Sequence, residues 1–378
     1  MQNLLTARVA APNTWRERIW NPFEKFGSWR ARISAAPEVA RPAKRLALGL
    51  AVGALSYALI AAPVILAGAS TVAFWVADRD ADLVIGLDKD FFVQRRVFVP
   101  SPVRVEAIGG GGTFALSALG GGPLGQHALV HVDAMGTPSR VGVLGAAIDL
   151  APGPDGGVFV VEMGLGGASS RVLYGALGGG SPVSTPKGLS EFASLSGVVC
   201  VGAQLGEKPT SGSLAGALQV LAGSDSGELT LLGEGGVTIV SRKDLASEVG
   251  DIAPAPDGGW WVLDVASPHR LLRVDRDLNL IWSAATGLNA ESLSPVTGQE
   301  RVWLADTTQP LVRRFGPGGI LELSVPIVSS DLSRGEARKD GGFWIASPGA
   351  AVRVDAGGIM LPGQGGFSYL TDLSAATP

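Results

Sequence analysis

Asp251-Ile252-Ala253-Pro254-Ala255-Pro256-Asp257-Gly258-Gly259, running into Trp260-Trp261-Val262-Leu263, is the stretch on which the fold of this chain turns. The same phrase stands earlier as Ile148-Asp149-Leu150-Ala151-Pro152-Gly153-Pro154-Asp155-Gly156-Gly157 before Val158-Phe159-Val160-Val161. A degraded copy runs from Leu332 through Arg334, Glu336 and Asp340-Gly341-Gly342 into Phe343-Trp344-Ile345. Asp-Gly between two short apolar runs signals a tight hairpin, with both turn residues expected at φ > 0. Each copy continues with a third strand, as in Arg270-Leu271-Leu272-Arg273-Val274-Asp275 and Ala351-Val352-Arg353-Val354-Asp355. A fourth follows, as in Leu280-Ile281-Trp282.

Four short antiparallel strands recurring at roughly 40–50 residues describe the blade of a β-propeller. Residues 102–143, 146–187, 189–240, 249–286, 289–327 and 330–363 form six units, the third carrying a Gly/Ser-rich insert at 206–216. A fragment remains at each end. Phe74 to Val93 aligns with Trp260 to Trp282 from the second strand onward, and Phe367 to Leu373 offers the missing first strand. A blade shared between these segments would close the ring and leave no unpaired edge. The expectation is an all-β protein of seven four-stranded blades, with six as the alternative.

The xPDGG turn, the apolar strand ending in Asp and the strand ending in Arg-apolar-Asp resemble the NHL, YVTN and SMP-30-like propeller group over about residues 71–374. The resemblance implies architecture. Members of the SMP-30-like group are metal-dependent lactonases with acidic and amide ligands around the central channel. Glu106, Glu162, Glu191, Asp264 and Asp306 lie near strand ends from which such a channel is within reach. None sits in a motif that matches residue by residue, so no ligand set is carried over.

The segment before the repeats reads differently. Thirty-two residues between Arg45 and Asp78 carry no charge, and nine Lys or Arg against three Glu give residues 1–45 a net +6. The chain's total of −4 then leaves −10 for the remainder. About 20 apolar residues suffice to cross a bilayer as a helix. A cleavable signal peptide is the competing reading, but its usual apolar region of roughly 7–15 residues is shorter than this run. The positive-inside bias places the N-terminus in the cytoplasm and the repeats outside, in the periplasm of a bacterial inner membrane. The expected division is a basic arm at 1–45, a single transmembrane helix at 46–70 and the propeller at 71–378.

In the arm, Trp15, Trp20, Phe23, Phe26 and Trp29 alternate with basic residues, the pattern of a segment seated at the headgroup level or on a partner. In the span, Gly49 and Gly53 stand at GxxxG spacing, with Ala54 and Ala58 continuing a small-residue face against which another helix can pack. Basic residues beside a membrane attract anionic lipid headgroups. An acidic outer domain argues against nucleic acid as a partner.

Catalytic signatures are missing from the sequence. His127 and His131 are four apart, but their strand context spaces them about 13 Å along one face, too far to share a metal. Asp155, Asp257 and Asp340 are turn residues, because the hairpin requires them. Cys200 is the one cysteine, within the apolar run Val198 to Val201, and reads as a small core residue. No P-loop, HExxH, GxSxG or calcium loop occurs. These readings assign no catalytic residue, metal or cofactor. They favour a non-catalytic accessory or assembly subunit of a respiratory, photosynthetic or envelope membrane complex, partnered by other transmembrane subunits. The alternative is a periplasmic metal-dependent lactonase or hydrolase, or a small-ligand sensor, working through the propeller channel.

Overall fold

Trp260 and Trp261 are neighbours in one strand, and successive strand residues point to opposite faces. Both are fully buried, Trp260 among Cys200, Leu221 and Leu231, and Trp261 among Ala290, Leu293 and Leu304. A strand that is apolar at every position must be covered on both faces. Phe74 and Trp75 divide in the same way, as do Phe343 and Trp344. Every sheet in the molecule is sandwiched between two others.

The computed structural model describes residues 72–375 apart from 121–124, 165–168, 178–185, 206–217, 307, 328–331 and 333. Its strands form seven four-stranded antiparallel sheets. Blade I joins Leu370–Ala375, as its first strand, to Phe74–Asp78, Leu83–Leu87 and Val93–Phe98. Blades II to VII then follow in chain order, spanning 102–144, 146–195, 198–242, 249–285, 290–326 and 335–365. Each of seven apolar clusters fills the space between two successive blades, the last between VII and I. The first strands of successive blades touch one another all the way round, so they line the central axis.

Two local expectations need correction. The unit boundary at 187/189 falls inside a strand, because Pro186–Leu195 is the outer strand of blade III and blade IV begins at Val198. Only Ser196-Gly197 separates those two strands, a connection too short to register as a break in an apolar pattern. In the xPDGG hairpin, Gly156, Gly258 and Gly341 take positive φ, whereas Asp155, Asp257 and Asp340 do not. Each Asp instead accepts the N–H of the Gly two residues on, at 3.0–3.2 Å. The turn is a three-residue loop closed by a left-handed Gly.

No helix among the described residues is long and apolar enough to cross a membrane. The arm residues Trp15, Trp20, Phe23, Phe26 and Trp29, and the helix-face residues Gly49, Gly53, Ala54 and Ala58, lie outside the described residues.

Removing residues 367–378 takes away the first strand of blade I, with the buried Leu370 and Leu373. The expected outcome is loss of a single cooperative unfolding transition, read by circular dichroism, with early protease cleavage in blade I. The milder Leu373→Ala should retain cooperativity at a cost of about 2–5 kcal/mol.

Candidate functional site

The first strand of a blade has no neighbour within its own sheet on the axial side, so its outward N–H groups need other acceptors. A shift of register, one residue in length, occurs at the same place in six of these strands. It falls between Pro102 and Arg104, Ala147 and Asp149, Val198 and Cys200, Val249 and Asp251, Ala290 and Ser292, and Leu370 and Asp372. In blade VII the matching residue is Arg334, six before Asp340 as Asp251 is six before Asp257. Such a bulge re-aims the residue that follows it. The seven equivalent positions, in order from blade I, are therefore Asp372, Arg104, Asp149, Cys200, Asp251, Ser292 and Arg334.

Each Asp of this ring reaches the next blade. Asp372 accepts the N–H of Val105 at 3.0 Å, Asp149 that of Val201 at 3.0 Å, and Asp251 that of Leu293 at 2.9 Å. Asp372 and Asp251 turn their other oxygen to the N–H of the residue after them, both at 2.9 Å. The two arginines balance this charge across the axis. Arg104 lies 2.8 Å from Asp149, and Arg334 lies 3.2 Å from Asp149 and 3.8 Å from Asp251. Burial works against the charge of Arg334, but Asp251 and Asp149 outweigh it and hold its pKa above the ordinary value. Burial and the like charge of Arg334 pull Arg104 down.

Two residues further along each strand comes a second tier. Ser374 and Ser294 repeat the same device with hydroxyls, accepting the N–H of Ala107 at 3.0 Å and of Ala337 at 2.7 Å. Glu106 and Glu336 flank Ser374 on the adjoining blades, and Ser374 donates to Glu106 at 3.3 Å. Burial, the neighbouring Glu336 and Asp372 push the Glu106 carboxyl well above the usual range. Burial, together with Asp372, pushes Glu336 up to about 8. Opposite them the tier is Ala151, Gly202 and Ala253, and a cavity of about 170 Å³ lies between the two sides. The other end of the channel opens into a cavity of about 650 Å³ lined by Arg104, Arg334, His269, Glu291, Ser292 and Thr371. The channel thus carries two arginines at one end and, at the other, two carboxyls whose pKa values burial raises.

Of the acids expected near a channel, Glu106 alone lines it. Glu162, Asp264 and Asp306 close the second strand onto the entry to the first strand of their own blade. Asp264 takes the N–H of Glu248 at 3.1 Å, Asp306 that of Asn289 at 3.0 Å, and Glu162 that of Gly145. Asp78 does the same for Ser368 and Tyr369 at 2.9 and 2.8 Å, so this is a repeated structural position. Glu191 sits half-exposed on the outer strand of blade III, 3.9 Å from Arg171. His127 and His131 are buried in blade II, the first with Nδ1 3.2 Å from the Gly145 carbonyl, the second against Phe114. Burial lowers the pKa of His131. Cys200 is fully buried, and burial together with Asp149 and Asp251 raises its thiol well above the ordinary value. Among the described residues no three His, Cys, Asp or Glu side chains are placed to share a metal ion.

The ring itself escapes a search for acids at strand ends. Asp149, Asp251 and Arg334 sit inside the repeat, at one fixed distance from the hairpin Asp, and that register is the signal that identifies them.

No protein-family model matches this chain, and no curated protein sequence does. Solved structures do. A protein from Desulfotomaculum acetoxidans, described as functionally unknown, is 12% identical and superposes with a TM-score of 0.58 over 81% of this chain and 99% of its own. Apo AztD from Citrobacter koseri is 13% identical, with a TM-score of 0.53 over 80% of this chain and 97% of its own. At these identities the likeness is one of fold alone, that of a seven-bladed propeller.

Two tests follow from the channel. Asp149→Ala leaves both arginines short of their shared counter-charge and the Val201 N–H without its acceptor, and should cost on the order of 3 kcal/mol in a denaturant titration. Asp149→Asn, which keeps an acceptor, should cost less. Glu336, at about 8 in the folded protein against 4.5 for the free group, keeps its proton where the unfolded chain loses it. Its contribution is therefore unchanged below about pH 4.5 and becomes destabilising as pH rises towards 8, by up to roughly 1.4 kcal/mol per unit. Glu336→Gln should flatten the fall in stability between pH 5 and 8; an unaltered slope would remove Glu336 as its source.

Proposed function

We propose that this chain is a non-catalytic, membrane-anchored propeller serving as an accessory or assembly subunit of a larger complex in a bacterial inner membrane. In this reading the N-terminus is cytoplasmic, residues 46–70 span the bilayer and the propeller stands in the periplasm. Its partners are other transmembrane subunits, met along the Gly49, Gly53, Ala54 and Ala58 face, with anionic headgroups around the arm.

The observation that carries the reading is the use to which the three aspartates of the ring are put. Asp372, Asp149 and Asp251 each spend a carboxylate oxygen on the next blade's backbone. A hydrolytic centre needs acids free to bind a metal or move a proton, whereas these hold the ring together. What results is a rigid disc, suited to docking. The basic arm and the uncharged run directly before the first described strand support the membrane placement.

A sensor of small anions is the second reading, favoured by one feature. Arg104 and Arg334 both line the 650 Å³ mouth, with about a quarter of each side chain exposed.

A tagged full-length protein, extracted in mild detergent and followed by native gel and mass spectrometry, tests the first reading. Co-migration with one large membrane complex, lost on deleting residues 1–45, is the expected result. A lone monomer overturns it, and a rise in melting temperature with small carboxylates or phosphate would then favour the sensor.

A further inference from the structure

The hairpin joining the third and outer strands is built alike in six blades. Its first residue is Asp88, Asp133, Gly233, Asp275, Gly316 or Asp355, and the residue three later has positive φ in every case. Where the first residue is Asp, Oδ1 accepts the N–H groups two and four residues on, at 2.7–3.0 Å. The position four residues after the start is held at the same height on the disc. In four blades it is a large apolar residue in solvent: Phe92 and Val237 are each 67% exposed, Ile320 66% and Ile359 64%. In the other two, Met135 stands two residues earlier, 60% exposed, and Leu280 one residue later, 47% exposed. The seventh hairpin, 178–185, lies outside the described residues. Single exposed apolar side chains are ordinary, but a rim of them at one height around one face is not. Towards the opposite face the exposed large apolar residues, among the described ones, are Phe98, Leu119, Val143 and Tyr369, which share no position in the repeat.

The chain also enters the propeller on the rim's side. Val72 leads into Phe74–Asp78, and the Ala73 N–H bonds the Leu87 carbonyl at 2.7 Å, one residue before the hairpin that carries Phe92. Residues 71–73 reach about 10 Å at full extension. If residues 46–70 cross the bilayer, as the proposed function holds, the point at which the chain enters this face lies within that distance of the surface, which favours this face over the opposite one.

We infer that the rim face rests on the bilayer, with its apolar side chains in the interfacial layer. Lipid is the occupant the arrangement fits, since the apolar residues are spread singly around the disc and a flat surface meets them all at once. The hairpins interleave them with Asp88, Asp90, Glu234, Asp275, Asp277 and Asp355, against Lys89 and Arg276. That charge suits zwitterionic headgroups and is repelled by anionic ones.

The full-length protein, reconstituted in phosphatidylcholine vesicles, tests this with nitroxide labels at Val237→Cys, Ile320→Cys and, on the opposite face, Ser247→Cys. All three sites are exposed, so the labels leave the core intact, and Cys200 is buried. Labels at 237 and 320 should collide several-fold less with an aqueous nickel chelate, and more with oxygen, than the label at 247. Adding anionic lipid should narrow that difference. Equal nickel accessibility at all three sites, with the protein still resisting carbonate extraction, overturns the inference and leaves the anchor standing. Release by carbonate overturns the anchor and the inference together. Protection at 237 and 320 that arises only when other membrane proteins are present assigns the rim to a protein partner and overturns the lipid assignment.

Discussion

A radial sheet ends, at the axis, in a strand whose backbone has no strand beside it. In this molecule that edge is satisfied from the neighbouring blade, by carboxylates at Asp372, Asp149 and Asp251 and by hydroxyls at Ser374 and Ser294. The register shift before the ring position makes the geometry possible, since it turns that side chain towards the next blade. The two arginines are a consequence. Three buried carboxylates so close together would repel one another, and Arg104 and Arg334 enter at the same register to offset them.

Much of this architecture is legible from the residues, and the reason is physical. A hairpin that needs a left-handed Gly, and a strand buried on both faces, leave marks in composition that survive in Asp257-Gly258-Gly259 and Trp260-Trp261. Asp264 and Asp306 show the same transparency, because a carboxylate capping the entry to its own blade recurs at one place in each. The boundary between blades III and IV is less readable. Two apolar strands meet there across two residues, and nothing in Leu195-Ser196-Gly197-Val198 marks a change of sheet.

The ring of charge was the harder feature to read, since it depends on which blades become neighbours in space. Asp149 and Asp251 belong to a repeated phrase, while Arg104 and Asp372 lie in segments where that phrase has decayed. Their partnership is visible only when the axis brings together residues as distant in sequence as Val105 and Asp372, 267 positions apart. A search for acids near strand ends finds Glu106 and overlooks Glu336, which shares its tier and its cause of pKa elevation.

The make-up of blade I bears on how the protein comes into being. Its first strand is Leu370–Ala375, and its other three begin at Phe74, so the earliest part of the domain to be synthesised waits for almost the last. Until that strand arrives, Phe74 and Trp75 belong to a sheet with one open side, and the ring cannot shut. Pairings of this separation raise contact order and slow folding. A chain in that interval has apolar strands exposed, a state that invites protection by a chaperone. The seam that completes the disc is thus also a checkpoint on whether the whole propeller was made.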